Sequence, residues 1–186
     1  MTEQPPPPPP GGYGAPVPPS PTAGLPRPAE LIERFLARLI DGILVGVVFG
    51  ILAGIGSALF LRGFVYSTGE YFLYWAFVSL VSVGVTMAYY GYLESTQGAT
   101  LGKSLLKLKV VGPDGVSNPT MEQSLRRNAF YLLQLAFIVP IVGTLFGGLA
   151  QLAAVIYIAV TISNDPVKRQ GWHDKFAGGT QVLKVG

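Results

Sequence analysis

Arg34, Arg38 and Asp41 stand at the entrance of a long apolar run. On a helix, positions three apart can touch, so Arg38 and Asp41 are expected partners. Arg34 lies two turns from Asp41, nearly eclipsed with it. A carboxylate at the centre of a membrane helix costs roughly 3 kcal/mol and is a functional candidate by default, here for cation or proton handling. A structural ion pair at headgroup level is the competing account. Towards the other end, His173 and Asp174 offer an acid and a base side by side. Neighbours on a helix point apart, however, and the chain has a single histidine. With no cysteine either, thiol nucleophiles, disulfides and thiolate metal sites are excluded. No metal, no cofactor and no enzyme activity are expected.

The stretch Gly98 to Ser104 reads GATLGKS and invites a phosphate-loop reading. That fingerprint needs one more residue before its Gly-Lys pair than is present, so nucleotide hydrolysis is rejected. Thr100, Gly102 and Lys103 are left as a motif of a cytoplasmic loop. Gly42, Gly46, Gly50 and Gly54 recur every fourth residue. At helical pitch they form a groove that admits close backbone approach. Packing against another helix of the chain is expected there, with homodimerisation and pathway lining as the other readings.

These residues must be positioned by membrane elements. Half the chain is apolar and only 12% is charged, and the apolar residues are gathered in long charge-free runs. Such clustering separates a membrane protein from a soluble one with a large core. Residues 39–61 and 71–93 would each cover about 35 Å as helices, enough to span. The second run has aromatics at both ends, as interfacial belts do. Residues 130–162 would make a single helix of roughly 50 Å, too long for one crossing. Pro140 and the glycines from Gly143 to Gly148 predict a reversal, hence a hairpin with arms at 128–140 and 143–162 and a short, partly re-entrant first arm.

The basic residues agree with that hairpin. Arg27, Arg34 and Arg38 place the N-terminus in the cytoplasm. Folding back the last region returns Lys168, Arg169, Lys175 and Lys184 to the same side as Lys103 and Arg127. Only Arg62 is left opposite. Within the cytoplasmic loop 94–127, Leu106, Leu108 and Val110 alternate with lysines as in a half-buried strand. The C-terminal segment 163–186 ends on a similar alternation, so the two strands are expected to pair. Thr120 and Gln123 make a capping box, and Asp165-Pro166 suits a helix start. Residues 1–30 hold most of the sixteen prolines. They are expected to be a disordered cytoplasmic tail, either a tether or a docking arm for a proline-binding protein.

The pattern Arg34, Ala37, Ile40, Asp41, the run Thr100-Leu101-Gly102-Lys103 ahead of Leu105 to Val111, and the closing Arg169 to Asp174 with Ala177 to Thr180 together resemble the RDD family of bacterial membrane proteins. The likeness covers about residues 31–185. Trp172 stands where a smaller apolar residue is common in that family, and the Gly178-Gly179 pair carries one extra glycine. The resemblance maps the family's arginine and two aspartates onto Arg34, Asp41 and Asp174. It implies a multi-pass cell-membrane protein, with transport of ions or unknown ligands as the suspected activity. The expected fold is therefore an all-α integral membrane domain of about four transmembrane or re-entrant helices with a small cytoplasmic β element. The expected function is ion-coupled transport of a cation or small ligand. The alternative is a scaffold recruiting partners through the tail and the basic face. Expected partners are the bilayer, anionic lipid headgroups and a second copy of the chain, with no nucleic acid.

Overall fold

The computed structural model describes residues 25–61 and 67–186. Most of the proline-rich head, and Arg62, lie outside the described residues. Among those described, three helices are long and apolar enough to cross a membrane: α1 (Leu31–Phe60), α2 (Thr68–Gln97) and, later in the chain, α5 (Val142–Ser163). The first two outrun the apolar windows that announce them. Hydropathy marks only the lipid-facing stretch, whereas the helix continues until a cap stops it. α2 starts where Ser67 and Glu70 bond each other's backbone N–H, and it ends on Gly98 in the left-handed conformation.

Between α2 and α5 come α3 (Leu101–Leu105), strand β2 (Leu108–Val111) and α4 (Met121–Arg127), the last opened by the Thr120–Gln123 capping box. A 3₁₀ helix, Ala129–Ile138, follows. At ~2 Å per residue it reaches only about 20 Å, too short to cross a hydrocarbon core of about 30 Å. The reversal is tight. Ile141 sits at φ 64°, ψ −71°, and the Val142 N–H bonds the Pro140 carbonyl at 2.7 Å, a γ-turn. Gly143 and Gly147 beyond it pack and do not turn. A Cβ at Gly143 would lie 1.8 Å from the Ala136 carbonyl oxygen, so the arm rests directly on the backbone of α5.

The charged end of the bundle carries a three-stranded antiparallel sheet, ordered β1-β3-β2, from β1 (Arg27–Pro28), β2 and β3 (Gln181–Lys184). β2 and β3 pair as their alternation predicts. β1 corrects the tail boundary: Arg27 and Pro28 are already paired, and Ala29 is fully buried with Ala37, Leu108, Val110 and Val182 in a small core. Both ends of the described chain therefore meet in one sheet. A short helix α6 (Trp172–Phe176) precedes β3.

Two further expectations are overturned. Gly42, Gly46, Gly50 and Gly54 are exposed, and a Cβ on any of them would meet nothing within 4 Å. The approach of α1 to α2 occurs instead at Gly56, against Phe77 and Val78. Asp165-Pro166 opens a turn, not a helix, because the Asp165 carboxylate takes up the N–H groups of Val167, Lys168 and Gln170.

Candidate functional site

A buried ionic cluster joins α1, α2, α3, α4 and α6 at the charged end. Arg34, Asp41, Glu94, Lys103, Arg127 and Asp174 are each at most 7% exposed, and Arg38 is partly covered. Charges so placed persist only when paired and hydrogen-bonded. Asp174 is bonded by Arg127 Nε at 2.7 Å, Arg34 at 3.0 Å and the Gly171 N–H at 3.0 Å. Glu94 receives Lys103 Nζ at 2.6 Å and Asn128 Nδ2 at 3.1 Å, with Arg127 at 3.2 Å and Arg38 at 3.8 Å. Arg38 bonds the Asn128 side-chain oxygen at 2.7 Å and lies over the Tyr90 ring, 4.1 Å from its centroid.

Asp41 does not meet Arg34 or Arg38. Its carboxylate accepts from the Thr100 hydroxyl at 2.6 Å, the Tyr89 hydroxyl at 2.8 Å and the Gly102 N–H at 2.8 Å. It thus holds the start of α3 against α1. Glycine is required at 102, because a Cβ there would fall 2.2 Å from the Ala37 carbonyl oxygen. Lys103, the lysine of the rejected phosphate loop, serves Glu94. Four cations face three carboxylates in this cluster, an excess of one positive charge.

A second feature leads from the cluster into the bundle. Trp75, Ser79, Ser82, Thr86, Tyr90 and Glu94 follow one another along α2 at steps of three or four, hence on one face. All but Glu94 line a cavity of about 340 Å³, together with Gly42 and Gly46 of α1, Tyr131 and Gln134 of the 3₁₀ arm, and apolar side chains such as Phe49 and Leu52. The Ser79 and Ser82 hydroxyls are buried without hydrogen-bond partners among the described residues.

A family model described as the RDD family matches residues 28–178. The chain belongs to the RDD family. An uncharacterized Bacillus subtilis (strain 168) protein, YxaI, is 33% identical over 133 residues, covering 65% of this chain and 87% of that protein. No solved structure matches the chain.

Of the three residues mapped from the family's name, the structure of this RDD protein joins two, Arg34 and Asp174, and gives Asp41 a separate role in seating α3. Sequence reasoning missed Glu94, Arg127 and Asn128 as members of the cluster. A signal for Glu94 existed: it is the first charge after a long aromatic-rich run and falls on the same helical face as the serines. Outside the spans, burial works against the Arg127 charge, but Asp174 and Glu94 outweigh it and hold the guanidinium above its ordinary value. Burial alone would raise the Asp174 carboxyl, yet the neighbouring positive charges, Arg127 and Arg34 among them, keep it well below the usual carboxylate range. Burial pushes Lys103 down to about 7, with Glu94 opposing and Arg38 and Arg127 adding to the shift.

His173 Nε2 lies 3.7 Å from Asp174 Oδ1, beyond hydrogen-bond reach. Burial drives its imidazole down to about 3, so it stays neutral. A base whose folded value lies below its unfolded one binds protons mainly when unfolded. Stability is therefore full above the unfolded value, near pH 6.5, and falls as pH drops towards 3. At pH 5 the loss should be about 2 kcal/mol. Thermal melts in detergent at pH 7 and pH 5 test this. The wild type should lose melting temperature on acidification, and His173→Gln should lose distinctly less; equal losses would remove the histidine from the account.

Proposed function

We propose that this RDD protein moves a small neutral or anionic polar solute through the α1–α2 cavity, coupled to protons by the Glu94–Lys103 pair. The observation that carries this reading is the continuous polar face of α2, with two unpartnered buried hydroxyls, ending on that pair. Intramembrane polar groups of this kind line substrate and proton paths. Lys103 is the labile proton carrier. When it releases its proton the cluster becomes electrically balanced, and Glu94 keeps Arg127 and Arg38 as counter-charges. The same excess of cations disfavours a metal cation as the solute, which narrows the sequence expectation to its small-ligand branch. Asp41, bonded by three donors from α2, Thr100 and α3, is assigned to architecture.

The protein would sit in the cell membrane with both ends in the cytoplasm. The basic residues support this orientation, as does the sheet that unites the two ends of the described chain. The deciding experiment is a flux assay on the full chain in proteoliposomes containing a pH-sensitive dye. Small anions, neutral polar solutes and alkali cations are added in turn. Solute-dependent proton movement supports transport. No movement with any of them would leave the scaffold reading, and deletion of residues 1–24 should then abolish partner recruitment.

A further inference from the structure

A second cavity of about 340 Å³ opens between α1 and α5, on the other side of Tyr131 from the first. Its size falls at the lower end of ligand pockets, about 300–1,000 Å³. Its walls divide by polarity. At one end stand Arg34, Arg38, Lys103, Arg127 and His173; the rest is apolar apart from Gln151. No carboxylate lines it. Its outer rim is open to lipid, with Phe35 56% and Val155 45% exposed.

The polar end also holds groups without partners. Arg38 Nη1 and His173 Nδ1 are buried and make no hydrogen bond among the described residues. Arg127 Nη1 has Glu94 at 3.2 Å but no hydrogen-bond geometry to it. A buried guanidinium N–H left unmade is costly, and an oxyanion with several acceptor oxygens is its natural complement. The cluster's excess positive charge selects an anion. The apolar flank and the sideways opening select one that carries a hydrocarbon chain. Basic pockets between membrane helices bind anionic headgroups by the same physics.

We infer that the cleft between α1 and α5 holds an anionic phospholipid of the bilayer, its phosphate at Arg38 and Arg127 and one acyl chain passing Val155 and Phe35 into the membrane. The cleft shares Tyr131 with the first cavity and Lys103 with the ionic cluster, but its case rests on Arg38, Arg127 and the apolar flank and needs no transport.

The full chain is placed in phosphatidylcholine nanodiscs containing trace spin-labelled phosphatidylglycerol or spin-labelled phosphatidylcholine. Electron paramagnetic resonance then reads the motionally restricted fraction. Phosphatidylglycerol should show a restricted component several-fold larger than phosphatidylcholine, and inorganic phosphate should not displace it. Val155→Trp, which fills the cleft from its lipid side and leaves the ionic cluster intact, should remove most of the excess, as should Arg38→Gln. Leu145→Trp, on α5 but away from the cleft, should leave it unchanged. Equal restriction of the two lipids would overturn the proposal. So would full excess in a folded Val155→Trp protein, or displacement by inorganic phosphate, which would make the cleft a site for free anions.

Discussion

Asp174→Asn is expected to abolish the folded protein or to lower its stability by about 3–5 kcal/mol, the usual result of stripping one member from a buried ionic pair. Asp174 is fully buried and accepts from two guanidinium groups at once, Arg127 at 2.7 Å and Arg34 at 3.0 Å. Asparagine has the same shape, but its Nδ2 is a donor, so one arginine would face an N–H in place of an oxygen anion. The loss is a large share of the ~5–15 kcal/mol that holds a typical domain together. A control lies in the same protein. Arg27 and Glu33 are also 2.7 Å apart, but the Arg27 side chain is 49% exposed. Water already serves that pair, so Arg27→Gln should change stability by no more than about 1 kcal/mol. Thermal unfolding of both variants in one detergent makes the comparison. A stable Asp174→Asn protein would mean that the cluster does not hold the helices together.

Lys103→Met should uncouple proton movement and leave the protein folded, reducing solute-dependent proton flux roughly tenfold or more, equivalent to at least ~1.4 kcal/mol. The contrast with Glu94 is what makes the variant useful. Glu94→Gln would leave Lys103, Arg127 and Arg38 without their common anion, and a misfolded protein would be the ordinary outcome. Removing Lys103 does the reverse. Glu94 keeps Arg127 at 3.2 Å and Arg38 at 3.8 Å, and the cluster reaches charge balance. The wild type should also show a pH midpoint near the Lys103 value of about 7, with flux limited on the acid side where the ammonium holds its proton. That midpoint should vanish in Lys103→Met. A variant with normal flux and an unaltered pH profile would take the lysine out of the mechanism.

What the sequence could show here was set by range. The spans, the hairpin and the Thr120 capping box depend on neighbours within a few turns, and the β2–β3 pairing on alternation in two short runs. Each was legible. Asp41 was not. Helical spacing offers Arg38 three residues away, whereas its real partners Tyr89, Thr100 and Gly102 lie 48, 59 and 61 positions along the chain. The glycine repeat of α1 was plain as a periodicity, but which side of a helix is covered is decided by neighbouring elements. The glycines that admit close approach between elements include Gly56, Gly91, Gly102, Gly143 and Gly147, of which only the last two keep a four-residue spacing. Arg34 and Asp174 come together across 140 positions, and the family likeness named both without indicating that they touch.

In the proposed transporter the serine face of α2 borders a water-accessible path and its opposite face borders lipid. The chain has no cysteine, so single cysteines can be introduced without background. Ser79→Cys, Ser82→Cys and Thr86→Cys are compared with Leu80→Cys, whose parent side chain is 56% exposed on the lipid side. Each is treated in sealed proteoliposomes with a charged, membrane-impermeant thiol reagent. Labelling is expected at Ser82 and Thr86 in vesicles that present the charged end outward, slower labelling at Ser79, and none at Leu80. Protection of all three polar positions, or labelling of Leu80 as fast as Ser82, would contradict it.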